Sequence, residues 1–197
     1  MEDLNQHSEL KNIQKEYEVE AKKQNISVAI DIVIFTIQNN TLCVLLNKRS
    51  NEPHKNKFAL PGGFCLKDIS LEDNAKQILF RDIGVDTIYL EQLYTFGDVN
   101  RDSRGRTISI SYYALVDSKK IAIDLSEKFS EHKWINVEQL HSYELAFDHN
   151  KIIQFAQERI QNKVEYTSIA FQLLPEKFTF AQLQKTYEII LNSQLDK

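Results

Sequence analysis

"LPGGFCLKDISLEDNAKQILFRDIGVD", from Leu60 to Asp86, decides how this chain is read. It opens on a Gly-Gly turn, at Gly62 and Gly63, where glycine lets the backbone approach a neighbour closely. A helix follows from Ser70 to Ile83. Leu71, Ala75, Ile78, Leu79 and Ile83 recur at three- and four-residue steps, and Gly84 stands in the usual stop position. Glu72 and Asp73 fall in the first turn, where the helix dipole alone accounts for acidic side chains. Carboxylates at i, i+3 and i+4 of such a helix would share one face and converge on a divalent ion beside a diphosphate. Here the i, i+3 and i+4 positions 78, 81 and 82 hold Ile78, Arg81 and Asp82, one carboxylate in three.

Working upstream, "SVAIDIVIFTI" (Ser27–Ile37) and "TLCVLLNKR" (Thr41–Arg49) are β-branched apolar runs around the turn-forming "QNN", a hairpin. The polar loop "SNEPHKNK" leads to the short strand "FALPGGF". Downstream come the strand "TIYLEQLYTF", the loop "GDVNRDSRGR", the alternating strand "TISISYYALV", and "HKWINVEQL", a strand turning into a short helix. From Asn150 the period is helical: Ile152, Ile153, Ala156, Ile160 and Val164 share a face. "SIAFQLL" reads as a second helix ended by Pro175, and Thr179 with Gln182 is a capping box opening a third. The division this suggests is an N-terminal helical extension over 1–25, a first domain over 26–149, and a helical region over 150–197.

The 197 residues suit one compact domain with an appendage. A hydrophobic share of 42% and a charged share of 26% are ordinary for a globular protein, and the net charge of -4 argues against a chain basic throughout for nucleic acid. The polar, acidic start is unlike a signal peptide, and no apolar run approaches the ~20 residues of a membrane span. Cys43 and Cys65 have no metal-ligand spacing. The expected compartment is the cytoplasm.

The stretch from Gly63 to Val85 resembles the signature of the Nudix hydrolases: Gly, five residues, Glu, seven residues, then Arg-Glu-apolar-x-Glu-Glu-x-Gly-apolar. Gly63, Leu79, Gly84 and Val85 meet the pattern with its spacing intact. The isolated Glu position holds Ile69, the Arg position Gln77, and the three carboxylate positions Ile78, Arg81 and Asp82. Arg81 puts a positive charge where a cation should bind. Asp82 is the one remaining candidate metal ligand, and standard Nudix catalysis at this helix is expected to be lost. Asp98, Asp102, Asp148 or Glu144 could supply a base from outside the motif.

"SVAIDIVIFTI", "KFALPGGF", "LEQLYTFGDVNRDSRGR", "LAFDH" and "VEYTSIAFQLLPEKFTFAQLQKTYEIIL" together resemble the Nudix-related transcriptional regulators of NAD and sugar metabolism. That resemblance runs from about residue 27 to the end. It implies an α/β/α sandwich with a mixed sheet, followed by a helical fragment of a winged helix. It further implies a non-catalytic sensor of ADP-ribose or a related nucleoside diphosphate sugar, acting as a homodimer, with no required cofactor and Mg2+ only if the site were catalytic. Asp148 is expected to cap the long helix and His149 to organise its start.

For the ligand, Arg101, Arg104 and Arg106 in "RDSRGR" suit phosphate, as does Arg49, although a solvated loop and an exposed strand end remain alternatives. Gly62 and Gly63 admit the ligand to the backbone or only make the turn. Phe64, Tyr94 and Phe96 could stack a base or belong to the core. In the resembled family an Arg-rich recognition helix and wing follow "LDK", where this sequence stops, so DNA is expected as a partner only of a full-length form. Two other readings stand: a Nudix pyrophosphatase of the ADP-ribose type with atypical metal ligands, and a dimerisation scaffold that binds no nucleotide.

Overall fold

The run from Ser27 to Gln38 forms strand β1, and it turns back through Asn39 and Asn40, at φ of 50° and 59°, into β2 (Thr41–Arg49). Asparagine tolerates this left-handed conformation because its short side chain bonds locally, so "QNN" makes a tight hairpin. The computed structural model describes residues 23–85, 88–117, 120 and 129–195. The extension expected over 1–25 lies outside them except for its last three residues.

The expected single strand "FALPGGF" is two strands on different partners. β3 (Phe58–Ala59) pairs with β2, and β4 (Gly62–Phe64) pairs antiparallel with β1. Pro61 lies between them with no N–H to donate, and its carbonyl instead accepts from the Ile32 N–H at 2.8 Å. Helix α1 (Leu71–Ile83) begins where the Ser70 hydroxyl accepts from the Asp73 N–H, and ends at Gly84, whose φ of 69° is the left-handed stop. β5 (Tyr89–Phe96), β6 (Thr107–Leu115) and β7 (Phe129–Asn136) complete the seven-stranded sheet seen among the described residues.

The sheet runs β3-β2-β1-β6-β5, with β4 on β1 and β7 on β2. β1 and β6 are parallel from Ser27↔Thr107 to Phe35↔Leu115, whereas the other pairings are antiparallel. The sheet is therefore mixed, as expected. Alternation then decides what each face meets. Ile30, Ile32 and Ile34 of β1 pack with Leu45 against Ala75, Ile78, Leu79 and Ile83 of α1. Val33 and Phe35 face the other way, toward helix α2 (His149–Val164).

That second core continues across residue 150 without a break. Ile152, Ile153, Ala156, Ile160 and Val164 of α2 share it with Ile169, Ala170 and Leu173 and with Ile190 of helix α3 (Phe180–Leu191). The capping box forms as expected, Thr179 accepting from the Gln182 N–H while Gln182 accepts from the Thr179 N–H at 2.8 Å. "SIAFQLL" is not an α-helix but a 3-10 turn over Ile169–Leu173. Five residues are too few to recover the cost of an α-helical nucleus, and Pro175 disfavours helical backbone before it. Among the described residues, no helix is long and apolar enough to cross a membrane.

Candidate functional site

The second core gives way to polar groups at the N-terminal end of β1. Asp31 lies between two core isoleucines, with its side chain on the α2 side, and Ser109 donates to it at 2.6 Å. Arg101, from the β5–β6 loop, donates Nη2 to Asp31 at 3.2 Å, and Nη2 and Nε to Asp148 at 2.7 and 3.1 Å. Its side chain is 3% exposed. His149, the first residue of α2, accepts the Leu60 N–H on Nδ1 at 2.8 Å, so the ring proton lies on Nε2, 3.4 Å from Asp31. Burial alone would raise the Asp31 pKa. The neighbouring His149, the Ser109 hydroxyl and Arg101 outweigh it and hold the carboxyl well below the ordinary carboxylate range.

This network corrects two expectations. Arg101 is not a loop cation held out to a phosphate, because its Nε and Nη2 are taken up by buried carboxylates. Asp148 does stand at the N-cap position of α2, but it makes no capping bond, since Arg101 holds its oxygens. Buried charges are tolerated when paired and hydrogen-bonded in this way.

Above the network is a cleft of roughly 280 Å³ lined by Arg49, Gly62, Gly63, Phe64, Arg101 and Arg104, together with Phe147 and His149. The Arg104 guanidinium lies 4.9 Å over the Phe64 ring and 5.3 Å from the Phe147 ring. Arg49 approaches Phe147 at 5.0 Å. Asp102 braces Arg104 through Nε at 3.0 Å and Nη2 at 2.7 Å, which, against the opposing effect of burial, keeps the Asp102 carboxyl below its usual range. Burial pushes the Arg49 guanidinium down, and the charge of Arg104 adds to that. Two like charges are thus held close on aromatic faces, an arrangement that an anion between them would relieve.

Of the four arginines expected to meet the ligand, Arg106 is the one that lies outside the cleft. Its Nη1 donates to the Gly97 and Asp98 carbonyls at 2.7 and 3.1 Å and ties the β5–β6 loop to itself. Tyr94 and Phe96 pack on Phe155 of α2 with ring centroids 5.0 and 5.9 Å away, Phe96 half-buried against the second core and Tyr94 54% exposed, and neither lines the cleft. Phe147, half-buried at a φ of 53°, takes the aromatic place instead. Its only sequence signal is the "AFDH" run. Gly62 is required by space, because a Cβ there would lie 2.5 Å from the Ile30 carbonyl oxygen and 2.8 Å from Asp31 Oδ1. Gly63 is not so confined.

The remaining carboxylates are engaged singly. Asp98 accepts from the Asn100 N–H, and Glu144 pairs with Lys57 at 3.3 Å on the surface. Glu72 pairs with Lys76, and Asp73 joins Ser70 in the cap of α1. Asp82 is fully buried, and both its oxygens accept from Arg81, Nη2 to Oδ2 at 2.9 Å. Among the described residues, no three of His, Cys, Asp and Glu are grouped to hold a metal ion.

A family profile described as "NUDIX domain" matches residues 26–155, and one described as "NrtR DNA-binding winged helix domain" matches residues 170–197. The chain belongs to the Nudix family, in the branch that joins a Nudix domain to an NrtR winged helix. It is similar to the "ADPR responsive transcriptional repressor NtrR" of Acinetobacter baylyi, 39% identical over 175 residues that make up 86% of this chain and 68% of that protein. The crystal structure of Shewanella oneidensis NrtR superposes with a TM-score of 0.79 at 34% identity, covering 86% of this chain and 79% of that one. The NUDIX domain of the same Shewanella protein, complexed with ADP ribose, superposes with a TM-score of 0.64 at 35% identity, over 70% of this chain and 90% of that one.

Proposed function

We propose that this chain is the sensor of a transcriptional regulator, binding ADP-ribose or a related nucleoside diphosphate sugar in the Arg49–Arg104 cleft without hydrolysing it. The observation that carries the reading is the paired cationic site on aromatic faces, formed beside a Nudix helix whose one carboxylate at a motif ligand position, Asp82, is already bound. Arg49 and Arg104 would take the diphosphate, and Phe64 and Phe147 are exposed enough to stack on a base or ribose. The likeness to an ADP-ribose-responsive repressor and to an ADP-ribose-bound Nudix domain supports this ligand class.

Phe147 and Asp148 lead directly into α2 at His149, and α2 packs on the residues matched to the winged helix. A ligand pressing on Phe147 therefore acts on the helix that carries the output region. We take a homodimer as the acting form and DNA as the target of the winged-helix region. No cofactor is required on this reading. Hydrolysis would need metal ligands that Ile69, Ile78 and Arg81 do not supply.

Thermal unfolding with graded ADP-ribose tests the proposal. At 100 times the Kd, a ligand that binds only the folded state adds about 2.7 kcal/mol of stability. Chromatography of the same mixtures after incubation with Mg2+ should recover ADP-ribose intact. No stabilisation, or accumulation of AMP, would overturn the reading.

A further inference from the structure

In a metal-using Nudix helix, oxygen donors would hold a divalent ion near the glycine turn, and the donors left here do not fit one. Gly62 offers its carbonyl oxygen and Asp82 its carboxylate, and one group, Arg81, engages both. Arg81 donates Nη2 to the Gly62 carbonyl at 3.0 Å and forks onto the two oxygens of Asp82. Asp82 receives a further contact from Asn47 Nδ2 at 3.4 Å. No carboxylate lines the depression beside this site, which is walled by Gly63, Phe64, Leu66, Asn74, Gln77, Ile78 and Arg81.

We propose that Arg81 is a resident cation: its guanidinium joins the Nudix helix to the glycine turn where a divalent ion would otherwise stand, and supplies positive charge to the ligand's diphosphate. Three observations support it. Nη1, the nitrogen not engaged with Asp82 or the Gly62 carbonyl, points at Gly63, 3.8 Å from where a Cβ would sit. Gly63 and Phe64 line both this depression and the cationic cleft, so Arg81 lies at the border of the two. The Arg81 side chain is 39% exposed while Asp82 is wholly buried, so one edge is anchored and another is open to solvent.

The chemistry is consistent with that role. A guanidinium presents five donors in a rigid fork and stays charged at any working pH, so it can bind a buried carboxylate and a phosphate oxygen together. A metal in the same place would need deprotonated oxygen donors, of which only one carboxylate remains. The consequence is a diphosphate site whose affinity does not depend on divalent ions.

The proposal rests on the sensor reading for its ligand, but part of its test does not. Arg81→Glu places a second carboxylate beside Asp82, and Arg81→Gln removes the charge alone. Titrating each chain with Mn2+, followed by electron paramagnetic resonance of the free ion, should show binding to Arg81→Glu and none to the wild type at the same concentrations. Titration with ADP-ribose in chelator should show both variants weakened roughly tenfold or more, the scale of one lost charge-assisted hydrogen bond. Arg81→Glu should recover on adding Mn2+, and Arg81→Gln should not. Circular dichroism checks that each variant is folded, and Arg81→Gln carries the test if Arg81→Glu is not. ADP-ribose affinity unchanged in the folded Arg81→Gln chain, or Mn2+ bound by the wild type, would overturn the proposal. If the wild type binds no ADP-ribose at all, the sensor reading fails, and the Mn2+ titration still decides whether Arg81 stands in for a metal.

Discussion

Arg101→Ala gives the sharpest test of how this site is built. In the wild type one guanidinium, 3% exposed, pairs with both Asp31 and Asp148, whose side chains are 10% and 11% exposed. Truncation leaves two carboxylates facing one small cavity, with Ser109 and His149 remaining as partners of Asp31. Breaking a buried pair from one side costs about 3–5 kcal/mol. At about 2–4 °C per kcal/mol for a chain of this size, the melting temperature should fall by roughly 6–20 °C. The sign of the pH dependence follows from Asp31, whose folded-state pKa is depressed. Its contribution is fully present above the unfolded value of about 3.9 and is lost as the pH falls toward the folded value. The deficit of the variant should therefore be largest near neutral pH and should narrow below about pH 4, where protonation relieves the unpaired carboxylates. Urea unfolding at several pH values measures both quantities. Adding Asp31→Asn and Asp148→Asn to Arg101→Leu should restore part of the loss, because no unpaired charge then remains. A deficit under about 1 kcal/mol, the worth of an ordinary surface pair, would refute the buried-network account.

Three further outcomes follow from the same geometry. Gly62→Ala should destabilise the fold strongly while Gly63→Ala is tolerated, since a Cβ collides with the Ile30 carbonyl oxygen at the first position and meets only Arg81 Nη1 at the second; denaturant midpoints compare them. Arg104→Ala should weaken ADP-ribose binding by about tenfold to a hundredfold, whereas Arg106→Ala should leave the Kd within about twofold, as calorimetry would show. Phe147→Ala should weaken the same ligand by several-fold to about tenfold, on the scale of a cation–π or aromatic contact, with fluorescence anisotropy of a labelled analogue as the readout.

The frame of the fold was legible because it is written in local periods. The apolar run of β1, the alternation of β6, the Asn39–Asn40 turn, the Ser70 and Gly84 caps and the Thr179–Gln182 box each depend on a few adjacent residues. The intact spacing from Gly63 to Val85 likewise located Arg81 and Asp82. The site was legible only in part, because its members converge from distant segments. Asp31 reads as a polar interruption of a buried strand, and nothing local reveals that Arg101, 70 residues on, meets it. Arg101, Arg104 and Arg106 look alike in "RDSRGR", yet one is buried in ion pairs, one lies between two aromatic rings, and one braces its own loop. Tyr94 and Phe96 could not be told from stacking residues until α2 brought Phe155 to them. Phe147 gave no sign of its left-handed backbone, which turns its ring toward Arg49 and Arg104.

The central claim is recognition of a nucleoside diphosphate sugar without metal or turnover. Calorimetric titration of the chain with ADP-ribose, in chelator and again in Mg2+, tests it most directly. The account predicts a saturable heat with the same stoichiometry and Kd in both. No saturable heat, or heat that appears only with Mg2+ and continues in proportion to added ligand, would contradict it.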